Sequence, residues 1–323
     1  MSPRREAAAL VAHPDRPGYA GQPVLNAPPW HHLIIWYFFL GGVSGSAYMI
    51  AALARWFGGA RGRPVARAGH LVSAAAIAPA PALLILDLGR PARFHHMLRL
   101  VKPLSPMNLG SWAFAGFSAA SALGGLRTLA HSAHAPLPAL LRRAGRLVPD
   151  LLTLPGGLAA LFFSGYTGTL LAATAVPLWA RTPLLGPLFM ASSAATGGAA
   201  VQGALAVTGD DGSALELPER AALLGEVALA GAWLRQLGPV ARRPLTRGRE
   251  RGLFWGGYVG AGLAVPLALS LLPRRVRHRR GMRLAGAAAT LAGGLCLRGA
   301  VVRGGEASAL DPEAVLGEAP PGG

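Results

Sequence analysis

The side chains able to do chemistry in this sequence collect at the edges of long apolar runs. In the stretch PAPALLILDLGRPARFHHMLRLVKPLSPMNLGSW, an apolar run ends on Asp87 and Gly89, and Arg90-Pro91 breaks it. A basic connector carrying His95 and His96 follows, and Ser105-Pro106 opens the next run, which holds Asn108 and Ser111. A carboxylate beside an arginine at the mouth of an apolar helix is expensive to keep and points to function. Two more clusters have the same character. Trp30-His31-His32 precedes Trp36-Tyr37 at the start of the first apolar run, and Ser164-Gly165-Tyr166-Thr167-Gly168-Thr169 lies in the fourth. Carboxyl, imidazole and phenol groups hydrogen-bond oxygen atoms and exchange protons with them. Among apolar helix walls they suit a lipid-soluble ring with two oxygens, a quinone head group, whose isoprenoid tail the walls would hold. Each residue also has a plain reading: a structural ion pair for Asp87 and Arg90, a core tyrosine for Tyr166, an interfacial histidine for His32.

These residues need apolar elements to position them, and the composition supplies them. The chain has 323 residues, 52% hydrophobic and 14% charged, with mean hydropathy +0.40. Soluble domains carry about 25% charged residues. The sequence therefore predicts an all-α, polytopic membrane protein, an eight-transmembrane-helix bundle. The expected spans are 32–54, 68–88, 109–129, 151–174, 184–207, 219–238, 252–273 and 281–302, each long enough for a hydrocarbon core of about 30 Å. Strict alternation places the start of the first span, the 88–109 connector and the end of the fourth on one side, so the three clusters meet at one face. A polar N-terminal segment (1–29) precedes the helical domain (30–303), and an acidic tail (304–323) is expected to be flexible and to order only against a partner. No removable signal peptide is read at the N-terminus, so the first span is expected to insert by itself. Small residues at Gly41 and Gly45, and at Ala160, Ser164 and Gly168, recur every four positions, the spacing that lets helix backbones approach closely in lipid. Basic residues divide almost evenly between alternate connectors, so the positive-inside rule selects no orientation.

The net charge of +17 raises nucleic acid as a partner, but the arginines sit at span ends, as Arg55, Arg61, Arg63 and Arg67 do. Anchoring to anionic membrane lipid explains that placement better than a nucleic-acid stripe, so no nucleic acid is expected. The single cysteine, Cys296, excludes a cysteine-ligated iron–sulfur cluster within this chain. The histidines fall at span ends or in connectors, which argues against haem, and no metal-ligand spacing is present. Glu226 stands inside the sixth span, and Arg235 lies on the opposite face about 13 Å along the helix. An intramembrane carboxylate is either part of a proton path or the partner of an arginine on another helix.

The blocks WHHLIIWYFFLGGVSGSAY, LLILDLGRPARFHHMLRLVKPLSPMNLGSW, GYTGTLLAATAVPLW, PLFMASSAATGGAA and LRGAVVRGGEASAL, in this order, resemble the NrfD/PsrC family, the membrane subunits of polysulfide reductase and related respiratory complexes. The likeness covers roughly residues 30–310, and the DLGRP…SPMNLGSW block is its most specific part. The resemblance implies an eight-helix subunit of the bacterial cytoplasmic membrane, without haem, that binds menaquinone or another quinone. It also implies a four-cluster, ferredoxin-like iron–sulfur partner subunit, itself often joined to a molybdopterin catalytic subunit. The family's quinone site uses a histidine near the start of the first helix, an acidic residue around the second and the tyrosine of the fourth. Here these positions fall on His32 or His31, Asp87 and Tyr166. Trp36, Arg90, Ser111 and Thr167 would complete the lining, with Glu226 on a possible proton path. The rival expectations are a secondary transporter, against which the lack of two matching halves counts, and a purely structural anchor.

Overall fold

The computed structural model describes residues 25–316, except Ala27, Pro29, His31, Gly89, Leu100, Pro103, Leu104 and His134. Among the described residues the chain is helical without strands. The helices are α1 (His32–Phe57), α2 (Gly59–Ile77), α3 (Ala80–Asp87), α4 (Pro106–Ala130), α5 (Ala139–Leu147), α6 (Thr153–Ala172), α7 (Leu185–Thr208), α8 (Glu216–Gln236), α9 (Gly252–Ala264), α10 (Val265–Ser270), α11 (Arg280–Ala309) and α12 (Pro312–Leu316). Short helical turns occupy the remaining connectors. By length and apolarity, four segments can cross a membrane: α1, the α2–α3 pair, the α9–α10 pair and α11. A fifth follows if α5 and α6, bent by 75° at their junction, count as one span. The chain is thus an all-α polytopic membrane protein. Helices occupy all eight expected stretches. Of the other stretches, α8 opens with Glu216 and Glu219 in its first turn.

The second expected span differs most. Helix begins at Gly59, well before the expected start, and is interrupted at Ala78-Pro79 before α3 resumes. Pro79 and Pro81 lack the N–H donors that a continuous helix needs there, which explains the break. Because α2 starts early, His70 lies inside a helix, buried and edge-on to Tyr48 at 4.9 Å between ring centres, not at a span end.

The expected small-residue spacing is realised as contact. A Cβ on Gly41 would meet the Phe163 ring at 2.8 Å, and one on Gly45 would meet the Ala160 carbonyl at 3.0 Å, so α1 and α6 pack backbone to backbone. Glycines at 262 and 293 bring α9 and α11 closer still, a Cβ on Gly262 falling 2.4 Å from the Gly293 Cα. Apolar association in lipid depends on such dispersion contact, since lipid tails remove the hydrophobic drive.

The helices run up and down between two ends. The mouth end holds the start of α1, the end of α3, the start of α4 and the end of α6. There Trp30 stacks on Trp179 at 5.0 Å, and Thr182 donates to Gln236 at 2.6 Å. The far end holds the end of α1, the start of α2, the end of α4 and the start of α6, and Arg55 and Arg127 both pair with Asp150 there, at 2.5 and 2.7 Å.

Where a flexible tail was expected from Gly304, α11 continues to Ala309 with Gly304, Gly305 and Ser308 buried, and α12 follows. The segment is ordered by this chain's own cations. Arg243 pairs with Glu313 at 2.5 Å, and Arg181 donates to the Ala314 carbonyl at 2.7 Å. Residues 317–323, and nearly all of 1–29, lie outside the described residues.

Candidate functional site

Asp87 is the last residue of α3 and is half-buried, where the chain turns extended at Leu88. A 3₁₀ segment, Pro91–Leu98, then packs against α3 and α4 at the bundle mouth. Between this turn, α3 and the first turns of α4 is a cavity of 210 Å³, lined by Leu84, Ile85, Leu88, Phe94, Met97, Ser111 and Phe114. Its wall is almost wholly apolar, and Ser111, buried, turns its hydroxyl back onto the Met107 carbonyl at 3.0 Å. Arg90 is exposed just before the turn.

The start of α4 is fixed by its own sequence. Ser105 caps the helix, its side chain accepting the Asn108 N–H at 3.4 Å, and Pro106 takes the first helical position, where no N–H is needed. Asn108 reaches backward as well: its amide donates to the Met97 carbonyl at 2.9 Å and accepts the Lys102 N–H at 2.6 Å. The polar residues of the SPMN segment thus clamp the connector onto the helix.

Tyr166 comes to this same turn from α6. Its phenol is buried and donates to the Pro106 carbonyl at 2.6 Å. It occupies the space that a side chain at 110 would need, since a Cβ on Gly110 would lie 2.0 Å from the phenol oxygen. Phe162 stacks on the ring at 5.4 Å. Tyr37, buried one face of α1 away, lies within electrostatic reach of Tyr166 and packs edge-on against Phe114 at 5.4 Å. Thr167 is buried beside it.

Of the expected site residues, the structure therefore brings Tyr166 to the first turns of α4, where Ser111 lies, with Asp87 at the neighbouring helix end; Thr167 is buried on α6. Ser111 lines the cavity from α4 itself, and the Tyr166 phenol does not line it. His32 and Trp36 are exposed on the first turns of α1, Trp36 making an edge contact with Phe39 at 6.1 Å. Among the described residues, no hydrogen bond or ion pair joins His32 or Arg90 to Tyr166. His31 lies outside the described residues. The sequence named Tyr37 within the first cluster but gave it no role, and its burial beside Phe114 is what the structure adds.

A second polar group is buried in the bundle. Glu226 on α8 is 3% exposed and faces Ser192 on α7, Arg298 on α11 and the Tyr258 phenol on α9. Arg298 is 1% exposed; it bonds Ser192, donates to Ser193 at 3.0 Å and to the Phe189 carbonyl at 3.3 Å, and stands over the Phe189 ring. Of the two sequence readings of Glu226, an arginine on another helix is what the structure places opposite it. Arg298 itself went unnoticed, and its position inside the run GLCLRGAVV was the available signal.

The comparisons with known proteins agree with this architecture. The family model described as "Polysulphide reductase, NrfD" matches residues 22–308. The C subunit of the polysulfide reductase of Wolinella succinogenes is 30% identical over 314 residues, covering 87% of this chain and 95% of that protein. The family match takes in the DLGRP…SPMNLGSW and GYTG segments and the helices that carry them. By sequence across nearly its whole length, the chain belongs to the polysulphide reductase NrfD family.

Proposed function

We propose that this chain is the quinone-interacting integral membrane subunit of a respiratory oxidoreductase complex of the bacterial cytoplasmic membrane. It passes electrons between the quinone pool and a four-cluster iron–sulfur partner subunit, which serves a molybdopterin catalytic subunit. The carrying observation is the mouth of the bundle. An apolar cavity, a buried phenol and a half-buried carboxylate stand around one helix start, on the side where α1 begins at His32.

The residues present fit a quinone. The cavity offers apolar walls for a ring or tail, with Ser111 as a lone hydroxyl. The Tyr166 proton is committed to the Pro106 carbonyl and its oxygen also faces the Gly110 N–H, which leaves one lone pair that can accept a hydroxyl hydrogen. That polarity suits the reduced form, which carries the hydroxyls. Menaquinone or another quinone supplies the two-electron, two-proton chemistry when bound. This chain's part is to orient the ring through Tyr166 and a first-helix histidine, to move a proton at the Asp87 carboxylate, and to exclude water with its packed helices. Trp36, Arg90 and Thr167 flank this arrangement, and Glu226 belongs to a separate, deeper step of proton movement or to structure alone.

The test is binding of a quinone analogue to the purified chain, for wild type and for Tyr166→Phe and Asp87→Asn, with folding checked. Both variants are expected to bind at least tenfold more weakly, about 1.4 kcal/mol. Unchanged binding in both folded variants removes these residues from the site. Absence of binding by wild type favours a structural anchor.

A further inference from the structure

The far end of the bundle carries a basic cavity that the quinone reading leaves unused. It has a volume of 210 Å³ and lies between the end of α1, the start of α2, the end of α4 and the start of α6. Arg55, Arg63, Arg67 and Arg127 line it against a single carboxylate, Asp150. Burial by itself would raise the Asp150 carboxyl, but its pairing with Arg55 and Arg127 outweighs that and holds it below the ordinary value. Arg63 and Arg67, one helical turn apart on α2, have no ion pair or side-chain hydrogen bond among the described residues. The cavity therefore keeps an excess of guanidinium charge, and guanidinium groups match phosphate oxygens in geometry. His70, 7% exposed, lines it too, and its Nδ1 has no hydrogen-bond partner.

A second, apolar cavity of 370 Å³ adjoins it along α4 and α6, and the two share Arg127 and Thr153 as walls. Apart from Tyr48 and the shared Arg127 and Thr153, its lining is small or aliphatic, including Gly116, Ala119, Ala120, Leu123 and Ala159. A charged pocket opening into an apolar groove is the shape of a lipid: phosphate at one end, hydrocarbon along the other. Free phosphate would have no use for the groove. A choline head group would bring a second positive charge against the arginines, which favours an anionic lipid.

We propose that this paired cavity binds one anionic phospholipid, its phosphodiester held by Arg63, Arg67 and Arg127 and an acyl chain lying in the α4–α6 groove. The bound lipid bridges α2, α4 and α6 at the end opposite Tyr166.

The experiment is native mass spectrometry of the full chain in detergent, titrated with phosphatidylglycerol or phosphatidylcholine. Wild type is expected to bind phosphatidylglycerol at least about tenfold more tightly. The Arg63→Gln/Arg67→Gln double variant, which breaks no ion pair, is expected to lose that preference. Arg61→Gln/Arg143→Gln, which removes equal charge outside the cavity, is expected to keep it. Leu123→Trp, filling the groove and leaving the arginines intact, is expected to weaken binding as well, and it decides the matter if the double arginine variant does not fold. Equal affinity for the two lipids, or an undiminished preference in Arg63→Gln/Arg67→Gln, overturns the proposal. Displacement of the lipid by millimolar inorganic phosphate overturns it too, since the ligand would then be the free anion.

Discussion

Tyr166 shows how a single side chain joins two distant stretches. Its phenol bonds the Pro106 carbonyl and fills the space above Gly110, so the GYTG and SPMNLGSW segments are each other's packing partners. Both segments were visible in the sequence. Their contact was not, because a string of residues shows a glycine without showing which ring takes the place of its side chain. Arg298 was illegible for a related reason: a lone arginine in an apolar run gives no sign of the α7 serines that receive it. Arg298→Met is expected to destabilise the protein strongly, by about 3–5 kcal/mol, since it leaves Glu226 buried without its compensating cation. Adding Glu226→Gln should recover part of that loss, and thermal unfolding of the four members of this cycle measures the coupling. Asp150 gives a pH prediction. Its carboxyl is held low in the folded protein, so the stability it contributes is present at neutral pH and lost as pH falls through that lowered value. Asp150→Asn should therefore melt lower than wild type near pH 7, with the difference vanishing in acid. Half-exposed pairs of this kind contribute no more than about 1 kcal/mol each.

At the level of helices, the α3–connector–α4 unit is the informative one. Its break at Ala78-Pro79 follows from proline chemistry, yet the apolar run through 68–88 read as one uninterrupted span, because apolarity alone does not register a missing N–H. The start of α4 was better marked, since serine followed by proline is a strong helix-start signal. Gly110→Ala is expected to push the Tyr166 ring from its seat and so to reproduce the binding loss of Tyr166→Phe. Analogue titration checks this, and wild-type affinity in a folded Gly110→Ala protein would show that the seat is unimportant. The end of α11 went the other way. Its Gly-, Ser- and Glu-rich composition read as a loose tail, but small residues there let the helix pack against Leu178 and Trp179. Removing the clamp with Arg243→Ala should leave the bundle intact while increasing protease sensitivity after Ala309, a difference that limited proteolysis detects.

For the whole molecule, up-and-down helices place the segments near 58, 131, 211 and 272 at one end, and those near 90, 181 and 240 at the other. If all eight helical stretches cross the membrane, single cysteines introduced into a Cys296→Ser background should label in two sets, each from one side only. A connector that labels from the wrong side would reduce the number of crossings. The composition fixed a membrane class easily, whereas the alternation of basic connectors could not orient it, and the structure explains part of this: several of those arginines are engaged with Asp150, Glu216 or Glu313. The clamp at the mouth has a mechanical consequence. Phe94, Leu98 and Val101 stand exposed on the connector, and that connector is bonded through Asn108 to α4, whose first turn is bonded to Tyr166. A protein docking on those exposed side chains would grip a crank whose other arm is the phenol. A push at the surface would then be handed on to Tyr166 through the Asn108 bonds and the first turn of α4.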